Sequence, residues 1–330
     1  MFERDVAPDA IKGLCITLMV FGHITYVGGA TELLTLIKAF IYTFHMPIFF
    51  ILSGFFFSFN SELDIRTKKL FRRLVVPYVA FISLYLMGLI AANYFGFQTT
   101  NTGPTDLIKF IETIIIHPIG GYWFLHSLII MQLLALLASY LANDVFCTES
   151  GVGLFLVFLL CFLWGAAELN LIEFRSILYF VLGLTIKRIC KNGFYFSVIP
   201  LLFLIVTFFT IDALGENRIY STFSPTEVLW NILLLAFLWS VLHNNKNFIS
   251  RNLAWIGRNT LIILVLHALF IVLMKPLSSY FLVVEHSGIF YVLAVTFITV
   301  TGCMACAKLL DRLNLSNSFF GVAKVFSEKS

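Results

Sequence analysis

The chain has 330 residues, of which 60% are apolar, 12% are charged and 37 are phenylalanine. Globular domains carry roughly 25% charged residues, so a soluble domain is excluded and a polytopic membrane protein is implied. The formal net charge of +4 is gathered in particular loops, which argues against a nucleic-acid-binding surface.

About 20 predominantly apolar residues cross a bilayer. On that rule the chain holds about ten spans, near 10–28, 39–59, 74–96, 120–141, 152–167, 174–190, 195–213, 227–243, 256–274 and 288–308. The expected fold is an all-α integral membrane protein, a bundle of about ten transmembrane helices. The first span is entered through Asp9 and Lys12 and carries His23 deep in an apolar run. That run is longer than the core of a signal peptide, and Glu3, Asp5 and Asp9 replace the basic leader of one, so it reads as retained. The second span folds back beside the first and carries His45. Five basic residues in R-T-K-K-L-F-R-R precede the third span, Trp123 and His126 lie on the fourth, and His267 lies on the ninth. The fifth and sixth spans are short. Turn-rich stretches at 98–121 and 212–225 form the longest connections, and the absence of linkers or repeats makes residues 1–330 one domain.

Orientation follows from the distribution of Lys and Arg. With ten spans one side holds Arg4, Lys12, Arg66, Lys68, Lys69, Arg72, Arg73, Lys187, Arg188, Lys191, Lys246, Arg251, Arg258, Lys308, Arg312, Lys324 and Lys329. The other holds Lys38, Lys109, Arg175, Arg218 and Lys275. The asymmetry places both termini in the cytoplasm.

Ionisable side chains within a span are costly and default to a functional reading. At 1.5 Å per residue, His23 lies roughly 20 Å from the cytoplasmic start of the first span and His45 roughly 10 Å from the outer face, so the two depths coincide. His126 and His267 fall in the middle or outer half as well. The bland alternative for each is a core histidine bonded to a neighbouring carbonyl. Lys69, Arg72 and Arg73 are spaced to share a helix face and suit a phosphate-bearing ligand, although topology alone asks for charges here. Asp9 and Lys12, three apart, read equally as a local pair or as part of a site. Cys303-x-x-Cys306 lies in a run of small residues and reads as packing. No phosphate loop or dinucleotide motif occurs, no metal is expected, and no carboxylate stands in mid-span.

On these residues the chain resembles the integral-membrane acyltransferase family 3, which O-acylates bacterial surface sugars. The matching stretches are D-A-I-K-G-L-C-I-T-L-M-V-F-G-H, F-H-M-P-I-F-F-I-L-S-G-F-F-F, K-L-F-R-R-L-V-V-P-Y, Y-W-F-L-H-S-L, Y-F-V-L-G-L and I-G-R-N-T-L-I-I-L-V-L-H, in family order along most of the chain. The F-H-M-P stretch is most similar to the polysaccharide and fucose O-acetylase branch. The resemblance implies ten core spans, a catalytic His23 with a basic residue, Lys12, upstream of it, and a donor motif at Lys69 and Arg72, with Lys standing where Arg is commoner at both basic positions. Leu34 stands where some members carry an acid, so no acidic partner for His23 is carried over.

The expected protein is therefore an O-acyltransferase of the bacterial inner membrane. It takes acetyl from acetyl-CoA to a sugar hydroxyl of a cell-surface polysaccharide or exopolysaccharide, or of its lipid-linked precursor. His23 and His45 are the candidate catalytic residues. Lys12, Lys69, Arg72 and Arg73 are the candidate contacts to acyl-CoA. Asp9, Trp123, His126 and His267 are candidates for binding the acceptor. The donor is expected to reach inward from the cytoplasmic cluster and the sugar to enter from the outer half. The rival readings are a transporter or flippase of a sugar or lipid-linked intermediate, whose histidines line a pathway, and a sensor or assembly subunit.

Overall fold

A computed structural model describes residues 5–58, 63–95, 101–145, 151–190, 194, 196–199, 201–202, 204–206, 224–243 and 247–326. The described elements are helical. In chain order they are α1 (Ala7–His23), α2 (Thr31–Tyr42), α3 (His45–Phe55), α4 (Leu63–Leu70), α5 (Val76–Tyr94), α6 (Leu107–Ile115), α7 (Tyr122–Tyr140), α8 (Gly151–Glu168), α9 (Phe174–Ile189), α10 (Pro225–His243), α11 (Phe248–Arg258), α12 (Thr260–Met274), α13 (Ser278–Val284), α14 (Ile289–Arg312) and α15 (Ser316–Phe320). A wide π-turn, Phe71–Val75, joins α4 to α5 without a break.

Six helical stretches are long and apolar enough to cross a membrane: Thr31–Phe55, Leu63–Tyr94, Tyr122–Asn143, Pro225–His243, Thr260–Val284 and Ile289–Arg312. They take in the expected second, third, fourth, eighth, ninth and tenth spans. The first, fifth and sixth expected spans are also helical but shorter, at 17, 18 and 16 residues. Most of the seventh, 195–213, lies outside the described residues, as do Cys147 and nearly all of the 212–225 connection. The ninth span differs from expectation. Helicity begins at Phe248, breaks at Asn259, and resumes from Thr260 towards Val284. The Asn259 N–H bonds Ile256 O, and its side-chain amide bonds Trp255 O, which ends α11.

The chain divides into two units, one of residues 1–56 and 179–304, the other of residues 57–178 and 305–330. In the first, α1 crosses α11 with the two backbones in contact. A Cβ on Gly13 would run into the Leu253 carbonyl, and one on Gly257 into the Asp9 carbonyl. Gly54 and Gly183 do the same where α3 meets α9, against Phe180 and Ile51. Close backbone approach through small residues is the way helices gain packing energy where no hydrophobic drive separates lipid from side chain. Cys303 is fully buried on α14 and Cys306 partly so.

In the second unit α6 is a short helix capped by Asp106, whose carboxylate accepts the Lys109 N–H at 2.8 Å. That bond holds the Asp106 carboxyl below its ordinary range. The C-terminal segment is tied down by Asp311, whose carboxylate accepts from the Ser316 hydroxyl and from the N–H groups of Val325 (2.7 Å) and Phe326 (2.9 Å).

Candidate active site

α1 ends at His23. Ile24 is extended, at φ −71° and ψ 140°. The chain beyond it docks on the turn before α14: Gly29 N–H bonds His286 O and Ala30 N–H bonds Ser287 O, both at 2.9 Å. Gly28 and Gly288 have φ of +94° and +82°, and a side chain at Gly288 would strike the Val27 carbonyl. Glu285 fixes the same turn by accepting the N–H groups of Ser287 and Phe290. The apolar run I-T-Y-V after His23 therefore leaves the helix, contrary to the expected span to residue 28. His23 is a terminal, exposed residue rather than one sunk in mid-helix.

A further interruption lies at Thr43 and Phe44, between α2 and α3, where the sequence reads as one apolar span. Pro47 stands in the first turn of α3, a position where its missing N–H costs nothing. Buried groups from α10 hold the break open. Trp230 Nε1–H donates to Thr43 Oγ1 at 3.0 Å, and Asn231 Nδ2 donates to Thr43 O at 3.1 Å and Glu227 O at 2.9 Å. The Asn231 amide also reaches the Tyr179 hydroxyl at 3.3 Å. Thr43 is thus locked, with Tyr42 at the end of one helix and His45 at the start of the next.

These two interruptions bring three of the expected residues together. The rings of His23 and His267 lie 5.2 Å apart, His23 and Tyr42 6.3 Å, and Tyr42 and His45 4.8 Å. Gly22 makes room for Tyr42: a Cβ there would sit 2.5 Å from the ring. The Tyr42 hydroxyl donates to Gly22 O at 3.1 Å.

His45 and His267 are both buried, and each is oriented by main chain. His45 Nδ1 lies 2.8 Å from Ile41 O; His267 Nδ1 lies 2.8 Å from Leu264 O and 3.1 Å from Ile263 O. A carbonyl only accepts, so in each neutral ring Nδ1 carries the proton and Nε2 the lone pair. His23 is different. Among the described residues its ring nitrogens have no hydrogen-bond partner, and it is the exposed member of the three. An imidazole with both nitrogens uncommitted, beside a second ring of fixed tautomer, can chemically give or take a proton.

Three further residues belong to this cluster and carry no mark of it in the sequence. Tyr42 lies beside His23, and the Lys38 ammonium lies 5.3 Å from the Tyr42 ring centroid and 5.9 Å from that of Tyr26. Pro47 is the one sequence signal of the break that positions Tyr42. Lys38 registers in the sequence only as an outer-side charge.

At the other end of α1, the Lys12 ammonium pairs with the Asp9 carboxylate at 2.8 Å, with Asp9 buried against the α11 crossing. Lys12 and His23 are eleven residues apart, close to three full turns, so they stand on one face of α1 separated by roughly 16 Å.

The remaining expected residues lie in the other unit. His126 is buried and its Nε2 bonds Ile115 O at 2.8 Å, while Tyr78 donates to Ile114 O at 2.6 Å. Both satisfy carbonyls left open at the end of α6. Trp123 is half-buried beside Phe124. Lys69, Arg72 and Arg73 are exposed, on the last turn of α4 and the π-turn that follows. The Arg72 main chain is covered by Gly321, in a left-handed turn at φ +61° where a Cβ would meet the Arg72 carbonyl. π-turns inside α-helices recur at functional sites. Here one carries two adjacent arginines. Arg66 stacks on the Phe57 ring at 4.4 Å, and Lys68 faces Asp64 at 3.9 Å as an exposed pair of little energetic worth. Among the described residues no three His, Cys, Asp or Glu side chains converge as metal ligands would.

Comparison with known proteins bears on both units. Residues 5–308 match the family described as "Acyltransferase domain". The nodulation protein NolL of Sinorhizobium fredii is 29% identical over 155 residues, which cover 44% of this chain and 37% of that protein. The match thus spans well under half of that relative's length. No solved structure matches the chain.

Proposed function

The chain belongs to the acyltransferase family that it matches over residues 5–308, and from that premise we propose that it is a membrane O-acyltransferase moving acetyl from acetyl-CoA to a sugar hydroxyl. The acceptor is a cell-surface polysaccharide or its lipid-linked precursor, and the setting is the bacterial inner membrane. The observation that carries this reading is the histidine cluster, in which His23 alone is exposed and uncommitted while His45 and His267 are fixed behind it.

A sugar hydroxyl is a weak nucleophile at neutral pH and must lose its proton as it attacks. His23 takes that proton as general base and returns it to the departing CoA sulfur. His45 and His267 orient the centre. Lys69, Arg72 and Arg73 hold donor phosphates. Purified protein reconstituted with labelled acetyl-CoA tests the whole reading: label must pass to an acceptor, or to water, as CoA is released. Transport of a sugar without acyl turnover would overturn it in favour of a carrier.

Losing a charge-assisted contact to phosphate costs about 1.5–3 kcal/mol, or roughly 10–150-fold in affinity. Arg72→Ala and Arg73→Ala are therefore each expected to weaken acetyl-CoA binding by about that factor while kcat at saturation changes little. Equilibrium binding of labelled acetyl-CoA to the purified variants checks this. Unchanged affinity would leave the cluster a topological signal.

The reading includes ten spans with both termini in the cytoplasm, supported by the charge asymmetry and by six long apolar helical stretches. A reporter fused after Ser330 is expected to report from the cytoplasm, and one inserted near Gly103 from the outside. Two reporters on one side would refute that topology.

A further inference from the structure

The histidine cluster supplies a base but, by itself, nothing for the negative charge that acyl transfer creates. When a hydroxyl oxygen attacks a thioester, the new C–O bond pushes the carbonyl electron pair onto oxygen. The resulting oxyanion is stabilised by a donor already in place, in surroundings that exclude water, and this is commonly the largest single contribution to such catalysis.

Four polar side chains of this cluster can be followed to a main-chain partner. The Tyr42 hydroxyl donates to Gly22 O and the Tyr26 hydroxyl to Phe21 O, at 3.1 and 3.2 Å. Both tyrosines thereby spend their protons on main chain and present ring faces. His45 and His267 spend their Nδ1 protons in the same way. Lys38 remains. It stands one turn before Tyr42 on α2, half-buried, with its ammonium over the two tyrosine rings. Among the described residues it has no carboxylate partner. One turn earlier on the same face, where an acid would neutralise it, stands Leu34, buried with Ile24 and Tyr291. Glu32 is six residues away and points to another face of the helix.

A cation held by π faces keeps its N–H donors for a ligand. We propose that Lys38 is a catalytic residue, the cation that receives the oxyanion formed on the acyl carbonyl while His23 takes the hydroxyl proton. This rests on the acyltransferase reading above. The step balances: acceptor oxygen bonds to the acyl carbon, its proton moves to His23, and the carbonyl pair moves to the oxygen beside Lys38. Collapse re-forms C=O, breaks the C–S bond and expels CoA thiolate, which takes the proton from His23 and leaves as the thiol.

The test uses the full chain in membrane vesicles from a strain lacking its own copy, so that the native acceptor is present, with [14C]acetyl-CoA as the probe. Lys38→Met, which keeps length and apolar contact, is expected to lower kcat about 10²–10³-fold, the cost of removing one oxyanion donor. KM for acetyl-CoA should stay within about twofold, and Lys38→Arg should recover much of the rate. Lys38→Gln provides another neutral variant should the Met protein extract poorly. A kcat for both neutral variants within about threefold of the parent would overturn the proposal, as would a loss confined to KM. His23→Ala, run alongside, separates the two claims. Transfer lost in His23→Ala but kept in Lys38→Met removes Lys38 alone, and transfer kept in both removes the acyltransfer reading of this cluster.

Discussion

His23→Ala is expected to abolish acyl transfer while the protein still inserts, extracts as a single species and binds acetyl-CoA. Removal of a general base costs about 10²–10⁴ in rate, and a covalent acyl-relay role for the same ring would cost more. The separation of binding from chemistry is expected because donor binding is proposed to rest on other side chains, Lys69, Arg72 and Arg73. His23 also makes no hydrogen bond within the described residues, so truncating it strands no partner. His45→Ala should be milder, since His45 is buried and spends Nδ1 on Ile41 O. Turnover of purified His23→Ala and His23→Gln, measured beside equilibrium binding of labelled acetyl-CoA, gives the answer. Near-parental acetylation by either variant would move the base to His45 or His267.

Gly257→Val should prevent the protein from reaching its folded state in useful amount. The Cβ alone would collide with the Asp9 carbonyl, a main-chain atom of the first turn of α1, and Gly13 faces the same crossing from the other side. Overpacking a core ordinarily costs about 1–3 kcal/mol. Here nothing flexible can yield, so the cost should exceed that range and rival the roughly 5–15 kcal/mol that holds a typical fold together. The crossing also carries the buried end of the Asp9–Lys12 pair. Gly165→Ala is the matched control. Among the described residues no atom beyond its own stretch of helix lies within 4 Å of a Cβ there, and alanine is favoured over glycine within a helix by about 1 kcal/mol. Yield and thermal midpoint of the extracted protein should fall for the first and hold or rise for the control. A normal midpoint for Gly257→Val would mean that the helices do not approach as described.

The sequence announces membrane helices wherever apolar runs are long, and it marks His23 and His45 as candidates through their cost in such runs. It does not announce how those helices end. The run after His23 remains apolar, yet the chain leaves the helix where Gly29 and Ala30 bond to His286 and Ser287, far along the chain. The interruption at Thr43 and Phe44 is likewise held from a distance, by Trp230 and Asn231. Hydropathy is a local average and is blind to both. The same blindness makes Lys38 a count in a charge asymmetry: Tyr42 follows it by one turn of α2, but Tyr26 reaches it only because the chain leaves the helix after His23. For His126 the bland reading offered by sequence, a buried ring bonded to a carbonyl, describes the contact found with Ile115.

The partners of His45 and His267 are main-chain carbonyls three or four residues back: Ile41 O, at the end of α2, for His45, and Ile263 O and Leu264 O, within α12, for His267. Such a partner has no codon. Replacing Ile41, Ile263 or Leu264 with other helix-compatible residues leaves the acceptor oxygen where it was, so the bond that fixes each ring is inherited with the main-chain path rather than with any neighbouring side chain. A carboxylate or amide in that role would be lost to a single base change. Two rings wired in this way can persist while everything packed around them drifts, leaving surrounding positions open to adaptation towards a different acceptor.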